Sequence, residues 1–276
     1  MDTYQKKSAT LIPTDPSSVM VIRTITPLLS TLSVPFARYG RFKVGGRATI
    51  VKLKTSSLAV FSPVSLTPDV QSHLTALGNQ VRYLICPDAE HHIFLTQWAK
   101  EYPQAHIIGP EALVTKRAAD PSTSAEKFST VFNKTNKKEI KVTEEFDAEF
   151  EYEYIDAHPN KELVFFHKPS KTLIEADLMF NLPATEQYSK TGESASTGLA
   201  TKFFVALMGT SGDAKWQKRF LWSLASKGDR NEFNEAAQRI DGWDFDKIVP
   251  CHGDVIEQDA KGIFRKVFEW HLNGKK

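Results

Sequence analysis

The sequence predicts an α+β fold in which one sheet packs on another and helices lie outside. Three observations carry this. Short strands rich in apolar and β-branched residues follow one another in the first sixty residues. Strands then alternate with helices up to residue 119. A second block of strands at 150–174 is followed, from Gly198, by a largely helical stretch that ends in one more strand and a helix. Two strand blocks with helices between and after them suggest packed sheet layers.

Each element has its own signal. Residues 1–18 are polar and rich in Pro and Ser, and read as a loosely held arm before a single domain over 19–276. Segments 19–22, 28–32 and 49–53 read as strands, and Gly45-Gly46 as a turn or bulge. The run Leu58-Ala59-Val60-Phe61 is apolar throughout, as in a strand buried on both faces. A helix is predicted over 68–77, with Thr67 as N-cap, Pro68 in the first helical position and Gly78 at the close. Segment 81–86 is a strand. Segment 93–102 is a helix with Phe94, Leu95 and Trp98 on one face, ended by Pro103. A strand over 105–109 and a helix over 110–119 follow. Strands are predicted at 150–155, 162–167 and 172–174, the last two joined by a hairpin turn at 168–171. The helices are 199–208, 214–226, 230–240 and 258–272, with a last strand at 247–249. There is no internal repeat.

The composition narrows the class. The chain has 276 residues, 41% of them hydrophobic and 25% charged, which is ordinary for a globular protein with a substantial core. A net charge of +2 gives no reason to expect nucleic acid or an anionic membrane as partner. The one basic run, at 133–138, reads as a solvated loop. No apolar signal core follows the polar N-terminus, and no run has the length of a membrane span, so a cytoplasmic protein with a small-molecule substrate is expected. Two cysteines do not make a disulfide framework. The oligomeric state is open.

The chemistry gathers at strand ends. The strand at 81–86 runs into Pro87-Asp88-Ala89-Glu90-His91-His92. Three further segments have the same form, an apolar strand and then a polar tip. They end in His158, in Glu175-Ala176-Asp177, and in Cys251-His252-Gly253-Asp254. Imidazoles and carboxylates on rigid strand ends are what a divalent metal ion requires. His91, His158, Asp177, His252, Glu90 and Asp88 are therefore the candidate ligands. The alternatives are a structural histidine, a loop or turn residue, a turn or capping aspartate, and a surface acid. His92 reads as packing beside the site, Cys86 and Cys251 as buried small residues, and Asp254 as support for the His-Gly turn or for His252.

These motifs resemble the metallo-β-lactamase superfamily, and more narrowly its DUF4336 branch. The resemblance rests on Ser33-Val34-Pro35-Phe36-Ala37-Arg38-Tyr39-Gly40, Gly45-Gly46-Arg47-Ala48-Thr49, Phe61-Ser62-Pro63-Val64, the 87–92 segment and Pro250-Cys251-His252-Gly253-Asp254. It implies an αββα sandwich of two mixed sheets, helices on the outer faces, and a metal site along one edge. The superfamily motif His-x-His-x-Asp-His aligns with Cys86, Asp88, Glu90 and His91, so only its last histidine is kept. One metal position would draw on Glu90, His91, Asp177 and His252. The other would draw on Cys86, Asp88, His158 and Asp177. Stoichiometry nearer one ion than two is expected.

The resemblance implies a metal-dependent hydrolase of an ester, lactone or thioester, in which metal-bound hydroxide attacks the carbonyl. Zinc is the first choice of metal, with iron or manganese as alternatives. Glu90 or Asp88 would orient or deprotonate the water. One alternative is a degenerate, non-catalytic binding protein of the same fold; another is an iron-dependent redox enzyme. Arg38, Tyr39, Arg41 and Arg47 lie on or beside the hairpin that borders the cleft in this superfamily, and read as surface charges or as holders of a substrate carboxylate or phosphate. Phe203, Phe204, Trp216 and Trp222 read as helix core, with a roof over the pocket as the alternative.

Overall fold

A computed structural model describes residues 15–274 of the chain. A turn of helix, α1 (Pro16–Val19), leads into β1 (Val21–Thr26) and β2 (Leu29–Val34). A small hairpin follows, β3 (Ala37–Arg38) and β4 (Phe42–Lys43), then β5 (Gly46–Lys52) and β6 (Leu58–Phe61). Next come α2 (Pro68–Ala76), β7 (Val81–Ile85), α3 (Leu95–Glu101), β8 (His106–Pro110), α4 (Glu111–Ala118) and β9 (Thr130–Phe132). These strands form a seven-stranded sheet in the order β1-β2-β5-β6-β7-β8-β9, with β3-β4 as a separate two-stranded ribbon. Pairing is antiparallel from β1 to β6 and parallel from β6 to β9.

The second sheet begins after α5 (Glu144–Glu149). It has the order β10 (Phe150–Ile155), β11 (Glu162–His167), β12 (Thr172–Ile174), β13 (Lys247–Val249), with β12 and β13 parallel. The long crossover between β12 and β13 carries α6 (Thr185–Tyr188), α7 (Leu199–Met208), α8 (Lys215–Phe220) with a wider helical turn over Leu221–Ala225, and α9 (Arg230–Asp241). The chain closes with α10 (Ala260–Val267) and α11 (Glu269–Asn273).

The strand sequences explain the layering. In β11, Leu163 and Phe165 enter one buried cluster with Phe61 and Ile85 of the facing sheet and Phe150 of the adjacent β10, whereas Val164 and Phe166 enter another with Phe233, Ile240 and Phe264 of the helices. The period of two thus sends alternate residues to opposite faces, and both faces are dry. In β6, Ala59 and Phe61 likewise face the opposite sheet, while Leu58 and Val60 meet Val70, Leu74 and Trp98. Continuous apolar runs follow from this, as in any sheet covered on both sides. The result is a sandwich of two mixed sheets with helices on the outer faces.

Several expectations are corrected. The last predicted helix is two, and that over 214–226 changes its winding at Leu221. Strand β9 and helix α5 were not expected. The first strand begins at Val21, after a helical turn over Pro16–Val19; residues 1–14 of the expected arm lie outside the described residues. The basic run is only partly solvated, because Lys137 pairs with Glu232 and donates to the Tyr154 carbonyl (3.2 Å). Phe203 and Trp216 are not helix core: they are 68% and 53% exposed. Among the described residues no helix is long and apolar enough to cross a membrane.

Two outcomes follow. Phe165→Ala removes a ring packed against Phe61, and should lower unfolding free energy by about 3–5 kcal/mol in urea titrations. His167, buried at the end of β11 with Nδ1 2.7 Å from Ser170 Oγ, has its pKa lowered to about 4 by burial, then by Lys168 and Lys54. The fold therefore favours the neutral ring. Its contribution is fully present above the unfolded value near pH 6.5, and is lost as pH falls through 4, on the order of 3 kcal/mol. Comparing wild type with His167→Asn from pH 7 to 4 should show this loss in wild type only.

Candidate metal centre

The site lies where ends of both sheets meet. His91 stands in the turn after β7, Asp177 after β12, and His252 after β13. One ligand atom from each of His91, Asp177 and His252 lies within 4.8 Å of the others. No further metal-binding group of this kind occurs among the described residues. Asp177 and His252 are buried, and His91 is slightly open.

Hydrogen bonds fix which ring nitrogens face inward. Asp88 is fully buried, and its Oδ1 accepts from the backbone N–H groups of Glu90 and His91, each at 2.8 Å. Both Asp88 oxygens also lie 2.9 Å from His91 Nδ1. That nitrogen is therefore the donor, and Nε2 carries the lone pair in the neutral ring. His252 Nδ1 donates to the Gly45 carbonyl at 2.7 Å, and a carbonyl can only accept. The two Nε2 atoms face each other at 3.1 Å. Asp177 Oδ1 lies 3.1 Å from His252 Nε2 and has no hydrogen-bond partner, while Asp177 Oδ2 accepts from Asn160 Nδ2 at 2.6 Å. Two ring nitrogens and a carboxylate oxygen thus converge in a buried place, which suits a cation, proton or metal ion.

The electrostatics agree. Burial lowers the His91 pKa, but Asp88 and then Asp177 overcome it and hold the group up to about 10, so without a metal ion the ring carries a second proton on Nε2, the place a cation would take. Burial would raise Asp177, yet His91, His252 and His158 keep it well below the carboxylate range. Glu162 and Glu175 lie beneath, both fully buried, and burial pushes each well above the usual range. Neighbouring carboxylates add to the shift. Glu162 accepts from the N–H of Ala176 (2.7 Å) and of Asp177 (2.9 Å), which fixes the backbone that presents Asp177.

The loop carrying His252 is held by an arginine. Arg47 is buried; Nη1 donates to the carbonyls of Pro250 (2.7 Å) and Gly253 (2.6 Å), on either side of His252. Its Nε donates to Ser33 Oγ at 3.0 Å, and Nη2 pairs with Glu186 at 3.3 Å. Gln187 bridges the same loop, donating to the Cys251 carbonyl (2.8 Å) and accepting from Gly253 N–H (3.0 Å). Two glycines are needed here. Gly45 (φ +71°) would place a Cβ 2.0 Å from Gln187 Oε1, and Gly253 (φ +91°) one 2.1 Å from the Asn181 carbonyl.

The candidate residues therefore separate. His91, Asp177 and His252 are brought together. Asp88 has both oxygens engaged by His91 and its turn. Glu90 turns away, its side chain 43% exposed and paired with Lys116 at 2.8 Å. His158 is buried with Nδ1 accepting from Asn160 N–H at 3.3 Å, and stands outside the trio. Cys86 is buried, its thiol is pushed up to about 12 by burial, and it is not among the three residues that converge. Cys251 is also buried, donating to Ser62 Oγ at 3.0 Å. His92 is packing, held by Arg117 at 3.0 Å. Asp254 accepts from Glu186 N–H at 2.8 Å, and so braces α6 rather than His252. Arg47 is a buried clamp, not a surface charge. Of the four aromatics, Phe204 packs with its ring centroid 6.1 Å from that of Phe180, which itself lies 4.7 Å from His252. Asn160, Gly45 and Phe36 were not foreseen as site residues.

Comparisons agree with this architecture. A family model described as "Domain of unknown function (DUF4336)" matches residues 39–197. No curated protein matches the sequence. Among solved structures, the chain resembles a metallo-β-lactamase from Pontibacter korlensis, with TM-score 0.57, 12% identity, and 92% of this chain and 99% of that one covered. It also resembles the flavodiiron core of Flv1 from Synechocystis sp. PCC6803, with TM-score 0.57, 13% identity and coverage of 91% and 60%. A mutant of a flavo di-iron protein from Thermotoga maritima gives TM-score 0.56, 12% identity and coverage of 91% and 62%. At these identities the likeness concerns the fold.

Arg47→Met would leave two loop carbonyls and Glu186 without their buried partner. It should cost about 3–5 kcal/mol of stability in denaturant titration, the range for breaking a buried charge pair.

Proposed function

Because the chain belongs to the DUF4336 family and has the metallo-β-lactamase-like fold, we propose that it is a metal-dependent hydrolase holding one divalent ion on His91, Asp177 and His252. The observation that carries this is the convergence of the Nε2 atoms of His91 and His252 on the buried Oδ1 of Asp177. Two histidines and a carboxylate are a known zinc donor set that leaves a coordination position open. Such an ion supplies Lewis acidity, polarising a carbonyl and acidifying a water. An ester, lactone or thioester is the substrate class that chemistry serves.

The chain's own residues do the rest. Asp88 and the Gly45 carbonyl keep both Nδ1 atoms protonated, so that both Nε2 atoms point inward. Asn160 orients the Asp177 carboxylate through Oδ2. Phe36 and Phe180 flank the His252 ring and exclude water from that side. Neither Asp88 nor Glu90 faces the trio as a base. His91 is the one member of the trio open to solvent, where a water acidified by a bound ion would release its proton.

A second reading has one observation in its favour. Two histidines and one carboxylate on one face also suit non-haem iron. An iron redox enzyme would show iron rather than zinc and a visible absorption band.

Elemental analysis of protein purified without a metal-binding tag should give close to one ion per chain. His91→Ala and His252→Ala should each abolish binding, and Asp88→Ala should weaken it about 10–100-fold, as for loss of a partner orienting a ligand. Glu90→Gln should leave binding unchanged. A metal-free wild type after supplementation with zinc, manganese and iron would falsify the reading.

A further inference from the structure

We propose that the outer face of α7, with the start of α8 beside it, docks on a membrane surface that carries anionic lipid; this does not depend on the metal-site reading above. Among the described residues five large hydrophobic side chains are exposed, and four of them, Leu199, Phe203, Trp216 and Leu224, lie on this part of the crossover. Helix α7 reads Leu-Ala-Thr-Lys-Phe-Phe-Val-Ala-Leu-Met, with Lys202 its one charged residue. Its inner side is accounted for. Thr201 and Met208 are buried, and the Phe204 ring lies 5.3 Å from Phe42 and 6.1 Å from Phe180. Its outer side is Leu199, Lys202, Phe203 and Ala206, spaced as one helical face, and all four are exposed. Leu199 is 88% open. A helix apolar on every side belongs in an interior or at a lipid boundary, and only half of this one is covered. Helix α8 is fastened to its end, because Gln217 Nε2 donates to the carbonyls of Met208 (3.2 Å) and Gly209 (3.3 Å). Trp216 stands next to that fastening.

Charge decides what covers this face. Over 199–227 the chain carries Lys202, Lys215, Lys218, Arg219 and Lys227 against Asp213 alone. That excess is larger than the +2 of the whole chain, so the remainder is net negative and the overall figure hides a local basic field. Lys218 is paired with Glu269. Among the described residues no carboxylate lies within ion-pair distance of Lys202, Lys215 or Arg219, which are exposed, and the Arg219 guanidinium lies 4.8 Å from the Trp216 ring centroid. Open leucine and aromatic side chains among unpaired lysine and arginine make an interfacial surface. The apolar groups enter the acyl boundary, tryptophan settles at headgroup level, and the cations meet anionic headgroups. A second copy of the chain fits less well. A twofold interface sets a patch against itself, and here it would bring like charges together. With no helix among the described residues able to cross a bilayer, the contact is peripheral.

Co-sedimentation of the full chain with vesicles tests this, using phosphatidylcholine alone and phosphatidylcholine mixed with phosphatidylserine. Wild type should bind the mixed vesicles about tenfold or more tightly than the neutral ones, and raised salt should weaken that binding. The double substitution Leu199→Ser, Phe203→Ser should lower binding about tenfold or more, the scale of one lost apolar insertion. The triple substitution Lys202→Gln, Lys215→Gln, Arg219→Gln should lower it about a hundredfold, at about fivefold for each charge. All these side chains are exposed, so thermal melts of both variants should match wild type. Metal-free protein should bind as the loaded protein does, which keeps this test separate from the metal reading. Absence of binding by wild type, or equal binding to neutral vesicles, would overturn the proposal. So would full binding by the serine variant, which would leave only the electrostatic contact that an acidic protein makes. If light scattering shows a wild-type dimer that Phe203→Ser dissociates, and vesicles bind neither form, the face joins two copies and the proposal is wrong.

Discussion

Arg47 carries a charge into the interior, where it cannot be hydrated, and the site is organised around how that charge is satisfied. Burial disfavours the guanidinium, Glu186 counters that, and two backbone carbonyls of a loop far away in sequence accept its protons. A buried ion with all its donors engaged tolerates little displacement. The loop from Pro250 to Gly253 is held to β5 for this reason, and His252 rides on it. Glu186 also pairs with Arg23 (2.7 Å) and accepts from Ser33 Oγ (2.7 Å), so the clamp ties β1, β2 and β5 of the first sheet to the end of the second. Gly45 completes the arrangement by offering its carbonyl to His252 from the same strand entry.

The other half of the site is fastened just as firmly. Arg117 donates to the His92 carbonyl (3.2 Å), and Lys116 to the Ala89 carbonyl (2.8 Å), so the end of α4 grips both sides of the histidine turn. Asp88 then closes the turn from within and orients His91. Each sheet thus delivers its part of the trio on a rigid strand end, and side chains reaching across from helices set the final geometry. Rigid presentation of this kind is what a metal centre of defined coordination needs. Burial and neighbouring carboxylates push Glu162 and Glu175 up, whereas the surrounding histidines hold Asp177 down, so three nearby carboxyls are driven in opposite directions.

Much of the fold was legible because most strands are buried on both faces. The runs of β6, β11, β12 and β13 have the bounds read from sequence, as do α7 and the alternating Phe-Glu-Tyr-Glu-Tyr-Ile of β10. Strand β9 escaped because three residues, Thr130-Val131-Phe132, show no period, and only pairing with β8 makes them a strand. The acidic α5 carries Glu144, Glu145, Asp147 and Glu149, which hides its buried Phe146. The trio was legible as polar tips on apolar strands. The roles of Asp88 and Glu90 were not, because a carboxylate in a turn looks the same whether it binds a metal, a histidine or a lysine. Turn geometry gives Asp88 to His91, and Lys116, 26 residues away, takes Glu90. Arg47 after Gly45-Gly46 looks like a surface residue until folding brings it to Pro250, 203 residues on.

The central claim is that one cation belongs between His91 Nε2, His252 Nε2 and Asp177 Oδ1. Anomalous diffraction recorded on either side of the absorption edge of the bound metal tests it most directly. The account predicts a single peak in contact with all three atoms, with Asp88 and His158 beyond coordinating distance. A second peak ligated by Asp88 and His158, or no peak at the trio in metal-saturated crystals, would contradict it.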